Sequence, residues 1–331
     1  MLHVLRRFMI YWRRKAKMQN LWLGIDVGSV STKLVLMDSS KNIVSKVYLK
    51  TESSPMKSVI KGYSAVLENV DDNIKICGAG ATGSGRKIAA AIVNADAVKN
   101  EITAHGTAAL ITNKNARTVL EIGGQDSKII FLKDGCIVDF NMNTVCAAGT
   151  GSFLDRQALR LGIPVSDIGK LAAKAKNPVK IAGKCAVFAE SDMIHRQQEG
   201  AKIEDILSGL CDALVRGYLN NLASGKNIEG PVLFQGGVAA NSGIKRAFEK
   251  ALDMPVSVPK QYDVMGALGA AIIAQRTVEK NHGKTSFREI KGNLDDWEMK
   301  STPCSGCANC CTIVSILSGG KVAAKWGGRC N

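Results

Sequence analysis

Residues 21–33, LWLGIDVGSVSTK, decide the fold. Leu21–Val27 reads as a short buried strand and Gly28–Thr32 as a polar turn. The strands Lys33–Asp38 and Ile43–Lys50 follow, with a second turn at residues 39–42. The same unit returns at residues 117–140, RTVLEIGGQDSKIIFLKDGCIVDF. With Asp26 laid on Glu121, Gly28 falls on Gly123 and Lys33 on Lys128, seven residues after the acid in both copies. An internal repeat of strand, acid, glycine turn and hairpin implies two similar halves facing a common cleft.

The turns carry the chemistry. Glycine lets backbone N–H groups approach a phosphate, and a carboxylate at a strand end can hold a hydrated Mg²⁺. Asp26 and Glu121 are the candidate metal carboxylates. Gly28, Ser29, Ser31, Thr32, Lys33, Gly123 and Gly124 are the candidate ATP-contacting residues on the two hairpins. Gln125 and Asp126 follow the second turn, where a glutamine beside a γ-phosphate can orient an attacking water. Downstream, Phe234-Gln-Gly-Gly-Val-Ala-Ala-Asn241 reads as strand, glycine pair and helix start. Gly236, Gly237 and Asn241 there suit a purine or ribose lying against the backbone. Three glycine sites in this order resemble the actin, sugar kinase and heat-shock chaperone superfamily, an α/β ATPase fold of two similar halves around a nucleotide cleft.

Ten cysteines are many for this length, and half lie in the last 28 residues, from Cys304 to Cys330. Cys146 and Cys185 each stand just before an expected helix, where thiolates are stabilised. Two thiolates are half of a [4Fe–4S] ligand set, which a homodimer would complete. Two buried structural cysteines are the plain alternative. In the tail, Cys304, Cys307, Cys311 and Cys330 make a second four-thiolate set, suited to a cluster or to Zn²⁺.

GIDVGSVSTK, ATGSGR, NEITAHG, IGGQD, CAAGTGSFLD, CAVFAES, GGVAAN and GALGAA, in that order over residues 20–277, resemble the activators (component A) of 2-hydroxyacyl-CoA dehydratases. The ATP-binding subunits of benzoyl-CoA reductases belong to the same family. The resemblance implies a homodimeric ATPase with one [4Fe–4S] cluster bridging Cys146 and Cys185 of two copies. Such a protein accepts an electron from an acidic ferredoxin or flavodoxin. ATP then drives its delivery at low potential to an iron–sulfur partner enzyme. One departure stands out: many members carry Asp where this chain has Glu121. The tail resembles a cysteine segment that follows the activator module in longer members.

Composition limits the other readings. The chain has 331 residues, 46% apolar and only 5% aromatic, with 33 glycines. This favours an α/β protein over a β-sandwich or a base-stacking platform. Net charge is +15, six of it from Arg6, Arg7, Arg13, Arg14, Lys15 and Lys17 in residues 1–20. That extension reads either as loose chain or as a basic helix on a membrane surface. No nucleic-acid motif accompanies the charge. No apolar run reaches membrane-spanning length and no signal peptide is visible, so a cytoplasmic, reducing location is expected. The expected organisation is the extension 1–20, a first half 21–115, a second half 116–280, and a linker with cysteine-rich tail 281–331. No histidine is assigned a catalytic role. Glu190 and Asp192 either support the Cys185 loop or face solvent. Two alternatives remain on sequence grounds: a small-molecule kinase of the N-acetylhexosamine type, and an ATP-dependent clamp with structural zinc and no redox role.

Overall fold

The two hairpins form as the repeat requires, at the level of strand register. In the computed structural model, β1 (Gln19–Val27), β2 (Ser31–Asp38) and β3 (Ile43–Lys50) make an antiparallel meander. β4 (Ile74–Thr82) and β5 (Ala97–Val98) continue the sheet in parallel, in the order β3-β2-β1-β4-β5. The second sheet repeats that order with β6 (Thr118–Ile122), β7 (Ser127–Lys133), β8 (Cys136–Asn143), β9 (Val232–Gln235) and β10 (Val256–Ser257), as β8-β7-β6-β9-β10. Asp26 sits opposite Lys33 across β1 and β2, and Glu121 opposite Lys128 across β6 and β7. The structure describes residues 18–70, 73–143, 149–183, 185–290 and 294–328.

Strand alternation decides which side chains reach the cleft. Leu21, Leu23, Ile25 and Val27 pack against α1 (Pro55–Leu67) and α2 (Arg86–Val93) on the outer face. Trp22 and Asp26 therefore point to the inner face, as does Glu121 beside Val119 in the second sheet. The inner layer is a pair of helices, α3 (Glu101–Thr112) and α9 (Met265–Lys280). Small residues allow them to come close: a Cβ on Gly24, Gly80 or Gly269 would collide with the Ala267, Ala270 or Ala104 carbonyl respectively. The second half adds α4 (Gly151–Leu161), α5 (Ile168–Ala172), α6 (Ala186–Gln198), α7 (Ile203–Leu222) and α8 (Ser242–Leu252) on its outer face.

Two features depart from the expected division at residues 115 and 280. α9 follows the second half in sequence but packs on β1, β4 and α3, so the chain crosses back to the first sheet. The stretch expected as linker and tail is also built. β11 (Trp297–Pro303), β12 (Thr312–Ser318) and β13 (Lys321–Trp326) form an antiparallel sheet. Trp297 and Ile316 are buried in the first-half core with residues of α1 and α2. Asp96 accepts hydrogen bonds from Thr285 and Ser286, and Arg288 N–H donates to the Val93 carbonyl. A chain ending at Lys280 is therefore expected to expose apolar α1–α2 surface and melt about 10 °C lower, since each large side chain removed from water contributes roughly 1.5–3 kcal/mol. An unchanged melting temperature in differential scanning fluorimetry would show that the sheet rests loosely on the core.

Candidate functional site

Both hairpin turns close in the same way. Gly28 N–H donates to the Ser31 carbonyl at 3.0 Å and Gly123 N–H to the Asp126 carbonyl at 2.9 Å. The turns face each other across a polar pocket that holds Asp26, Glu101, Glu121 and Asp126 together with Lys33 and Lys128. Ser29, Ser31 and Gln125 line it as expected. Thr32 does not: it is fully buried, and its hydroxyl pairs with Thr51 Oγ1 at 3.0 Å. Thr51 in turn donates to the Gly28 carbonyl at 2.7 Å, so this pair braces the turn from behind.

Sequence reasoning left Glu101, His105 and Lys128 without a role, and all three line the pocket. Lys33 Nζ lies 3.4 Å from Asp26 Oδ2. Lys128, with a side chain 1% exposed, lies 3.0 Å from Glu121 Oε2, 3.2 Å from Glu101 Oε2 and 2.7 Å from Asp126 Oδ1. Burial alone would push the Lys128 ammonium down. Glu121, Glu101 and Asp126 outweigh it and hold the group above its ordinary value. Burial raises Glu121 and Glu101, and Lys128 opposes the rise. Burial, with Lys128 nearby, lowers His105 to about 4, so the ring is neutral near pH 7. Its Nδ1 is 2.9 Å from Gln235 Nε2.

Among the described residues no three His, Cys, Asp or Glu side chains converge to coordinate a metal directly, so the carboxylates here would hold a divalent cation through its water shell. Asp26 and Glu121 offer hard carboxylate oxygens from opposite sheets. Thr82 lies in register with Asp26, and Gln235 with Glu121. Thr82 Oγ1 and Gln235 Oε1 are buried with no protein partner among the described residues, as expected where metal-bound water completes the hydrogen bonding.

Beside this pocket lies a cavity of about 320 Å³, bounded by Val30, Tyr48, Leu154, Gly237, Val238 and Asn241. Asn241 caps α8, its Oδ1 accepting from Gly243 and Ile244 N–H, while its Nδ2 is a buried donor without a protein partner among the described residues. Gly236 lies behind the cavity with φ +91°. A Cβ there would strike the Ile122 carbonyl and stand 2.6 Å from Glu121 Oε1. The glycine pair thus shapes both the nucleoside-sized cavity and the carboxylate next to it.

The Gly123–Gly124 turn is joined to the cysteine region. Gly151 N–H donates to the Gly123 carbonyl at 2.8 Å, and Ser152 donates to the Gly124 carbonyl through N–H at 2.8 Å and Oγ at 2.6 Å. These are the first residues of α4, the helix after the Cys146 segment, and Cys146 itself lies outside the described residues. Cys185 is the N-cap of α6. Glu190 on α6 accepts from Arg160 at 2.6 Å and pairs with Arg156 at 3.3 Å, linking α6 to α4. Asp192 accepts from Ala182 N–H at 2.8 Å, holding the segment that leads to Cys185. Leu159, Val187 and Phe188, at 83, 68 and 66% exposed, leave apolar surface on these two helices.

A family model described as the BadF/BadG/BcrA/BcrD ATPase family matches residues 23–274. The chain belongs to this ATPase family. It is 37% identical to the (R)-2-hydroxyglutaryl-CoA dehydratase activating ATPase of Acidaminococcus fermentans, over 78% of this chain and 98% of that protein. The crystal structure of that dehydratase's component A superposes with a TM-score of 0.73 at 35% identity, covering 78% of this chain and 99% of that one. The activator of the 2-hydroxyisocaproyl-CoA dehydratase from Clostridium difficile, solved with bound ADPNP, gives a TM-score of 0.70 at 31% identity, covering 82% and 100%. A ROK family glucokinase from Streptomyces griseus shares the fold at a TM-score of 0.51 and 14% identity, over 77% and 99% of the two chains. The architecture is thus the expected actin and sugar-kinase type.

The third sheet lies outside the span matched by the ATPase-family model. Cys304, Cys307, Cys310 and Cys311 occupy the loop between β11 and β12. Gly306 N–H points at Cys304 Sγ, 3.4 Å away. Among the described residues no three His, Cys, Asp or Glu side chains converge as a metal site, and Cys330 lies outside those residues. No helix among the described residues is long and apolar enough to cross a membrane.

Proposed function

We propose that this ATPase-family chain is an ATP-driven electron-transfer activase. It accepts an electron from an acidic ferredoxin or flavodoxin and passes it at low potential to a 2-hydroxyacyl-CoA dehydratase or a related iron–sulfur reductase. The observation that carries this reading is the direct hydrogen bonding of the Gly123–Gly124 turn to the first residues of α4, the helix that follows the Cys146 segment. A shift of that turn on nucleotide binding or hydrolysis must move the start of α4, and Glu190 carries the motion to α6.

In this reading Asp26 and Glu121, with Asp126, hold hydrated Mg²⁺. The N–H groups of the two turns and Lys33 take the phosphates, and Gln125 orients the attacking water. Gly237 and Asn241 receive the nucleoside. Cys146 and Cys185 of two copies would hold one [4Fe–4S] cluster, which supplies a one-electron carrier when bound. The apolar surface around Leu159, Val187 and Phe188 suits the second copy, and the +15 charge suits acidic donors. The tail cysteines Cys304, Cys307, Cys311 and Cys330 are proposed as a separate tetrathiolate site for zinc or a cluster. The sugar-kinase alternative is supported only at the level of fold.

The test is iron and acid-labile sulfide per chain on anaerobically purified protein of measured mass. Roughly four irons per dimer are expected, lost in Cys185→Ser. Iron beyond four, or zinc, lost in Cys304→Ser/Cys307→Ser would place a second metal in the tail. A colourless monomer that hydrolyses ATP would overturn the electron-transfer reading.

A further inference from the structure

The two lysines of the repeat are not equivalent. Lys33 faces one carboxylate at 3.4 Å and is partly open to solvent. Lys128 is enclosed by three carboxylates at 2.7–3.2 Å. A buried ammonium needs one counter-charge, so three leave a local charge of −2, the charge that one divalent cation neutralises. The three acids also come from different parts of the chain. Glu121 and Asp126 flank the second glycine turn, whereas Glu101 is the first residue of α3, the helix wedged between the two sheets.

We infer that Lys128 is a positioning residue of the phosphate site. Without metal and nucleotide, its ammonium occupies the centre of the Glu101–Glu121–Asp126 set and disfavours entry of a free divalent cation. When the cation arrives with a triphosphate, it draws Glu121 and Asp126 towards itself and leaves Lys128 paired mainly with Glu101. The site is thereby made to prefer metal that comes with nucleotide, and occupancy is felt at the start of α3. This inference rests on the proposed use of Mg·ATP.

The experiment titrates Mn²⁺ alone into the full, nucleotide-free chain and counts free Mn²⁺ by electron paramagnetic resonance. Lys128→Met removes a unit positive charge a few ångströms from the cation and should tighten Mn²⁺ binding at least about tenfold. Glu101→Gln removes a unit negative charge and should weaken it by about tenfold. A lysine with a purely structural role predicts no gain in Mn²⁺ affinity from its removal. Folded Lys128→Met with unchanged or weaker Mn²⁺ binding overturns the inference. So does an unchanged affinity in Glu101→Gln, a near-isosteric change at a side chain 23% exposed, should the lysine variant fail to fold. A wild-type chain that binds no Mn·ADPNP would instead sink the nucleotide reading itself.

Discussion

Nucleotide binding will be lost on removal of divalent cation, with ADPNP affinity falling by two orders of magnitude or more in the presence of EDTA. The pocket gathers four carboxylates, Asp26, Glu101, Glu121 and Asp126, against two ammoniums, Lys33 and Lys128. His105 adds no charge near neutral pH, because burial keeps its ring neutral down to about pH 4. The protein therefore offers a site of formal charge −2 to a polyanion. Two unit charges about 4 Å apart at an effective dielectric of 20 interact by about 4 kcal/mol, and a hundredfold in affinity is about 2.7 kcal/mol. Backbone N–H groups from two short turns do not offset that repulsion, whereas a cation shared by Asp26, Glu121 and the phosphates removes it. Isothermal titration of ADPNP with Mg²⁺ and with EDTA checks the claim. Comparable affinity in both would mean that the phosphates bind away from the four acids.

The two sheets and the acid-bearing turns at their edges were legible because they rest on short-range rules. A seven-residue interval from acid to lysine across a tight turn fixes cross-strand pairing, so Asp26–Lys33 and Glu121–Lys128 could be aligned from spacing alone. The glycine pair at 236–237 announced itself by type, although only Gly236, at φ +91°, has a backbone that few other residues tolerate. Long-range closure was not legible. Nothing in the local pattern around Glu101 says that its helix starts beside Lys128, because that contact is made by two sheets packing on a shared helix pair. The same blindness placed α9 with the half that precedes it rather than with the sheet it covers. Thr32 was grouped with the ligand-facing turn because a hydroxyl beside glycines resembles a phosphate contact, but strand alternation turns it into the scaffold. β11 to β13 escaped notice because their alternation is weak. Most of their residues are exposed or half-buried, and Trp297 and Ile316 are the buried ones.

Gly236→Ala should abolish tight nucleotide binding while Gly237→Ala, one residue on, should change it little. Gly236 has φ +91°, outside the region open to L side chains, and a strained residue of this kind costs on the order of 1–3 kcal/mol. The added methyl has no free direction. It meets the Ile122 carbonyl, which belongs to β6, and comes within 2.6 Å of Glu121 Oε1. Neither neighbour is the free end of a flexible chain: one is backbone in a sheet, and the other is a buried carboxylate held by Lys128. Relief requires β9 to move away from β6, which displaces Glu121 from the proposed metal position and shifts the cavity wall carried by Gly237. Among the described residues a Cβ on Gly237 meets only the Tyr48 hydroxyl, at 3.3 Å, and Gly237 has no positive φ to strain it. The expected outcome is a loss of at least about a hundredfold in Mg·ADPNP affinity for Gly236→Ala and less than about threefold for Gly237→Ala, conversions of about 2.7 and 0.7 kcal/mol. Equal effects at the two positions would mean that the nucleoside, rather than the carboxylate behind Gly236, sets the tolerance of this turn.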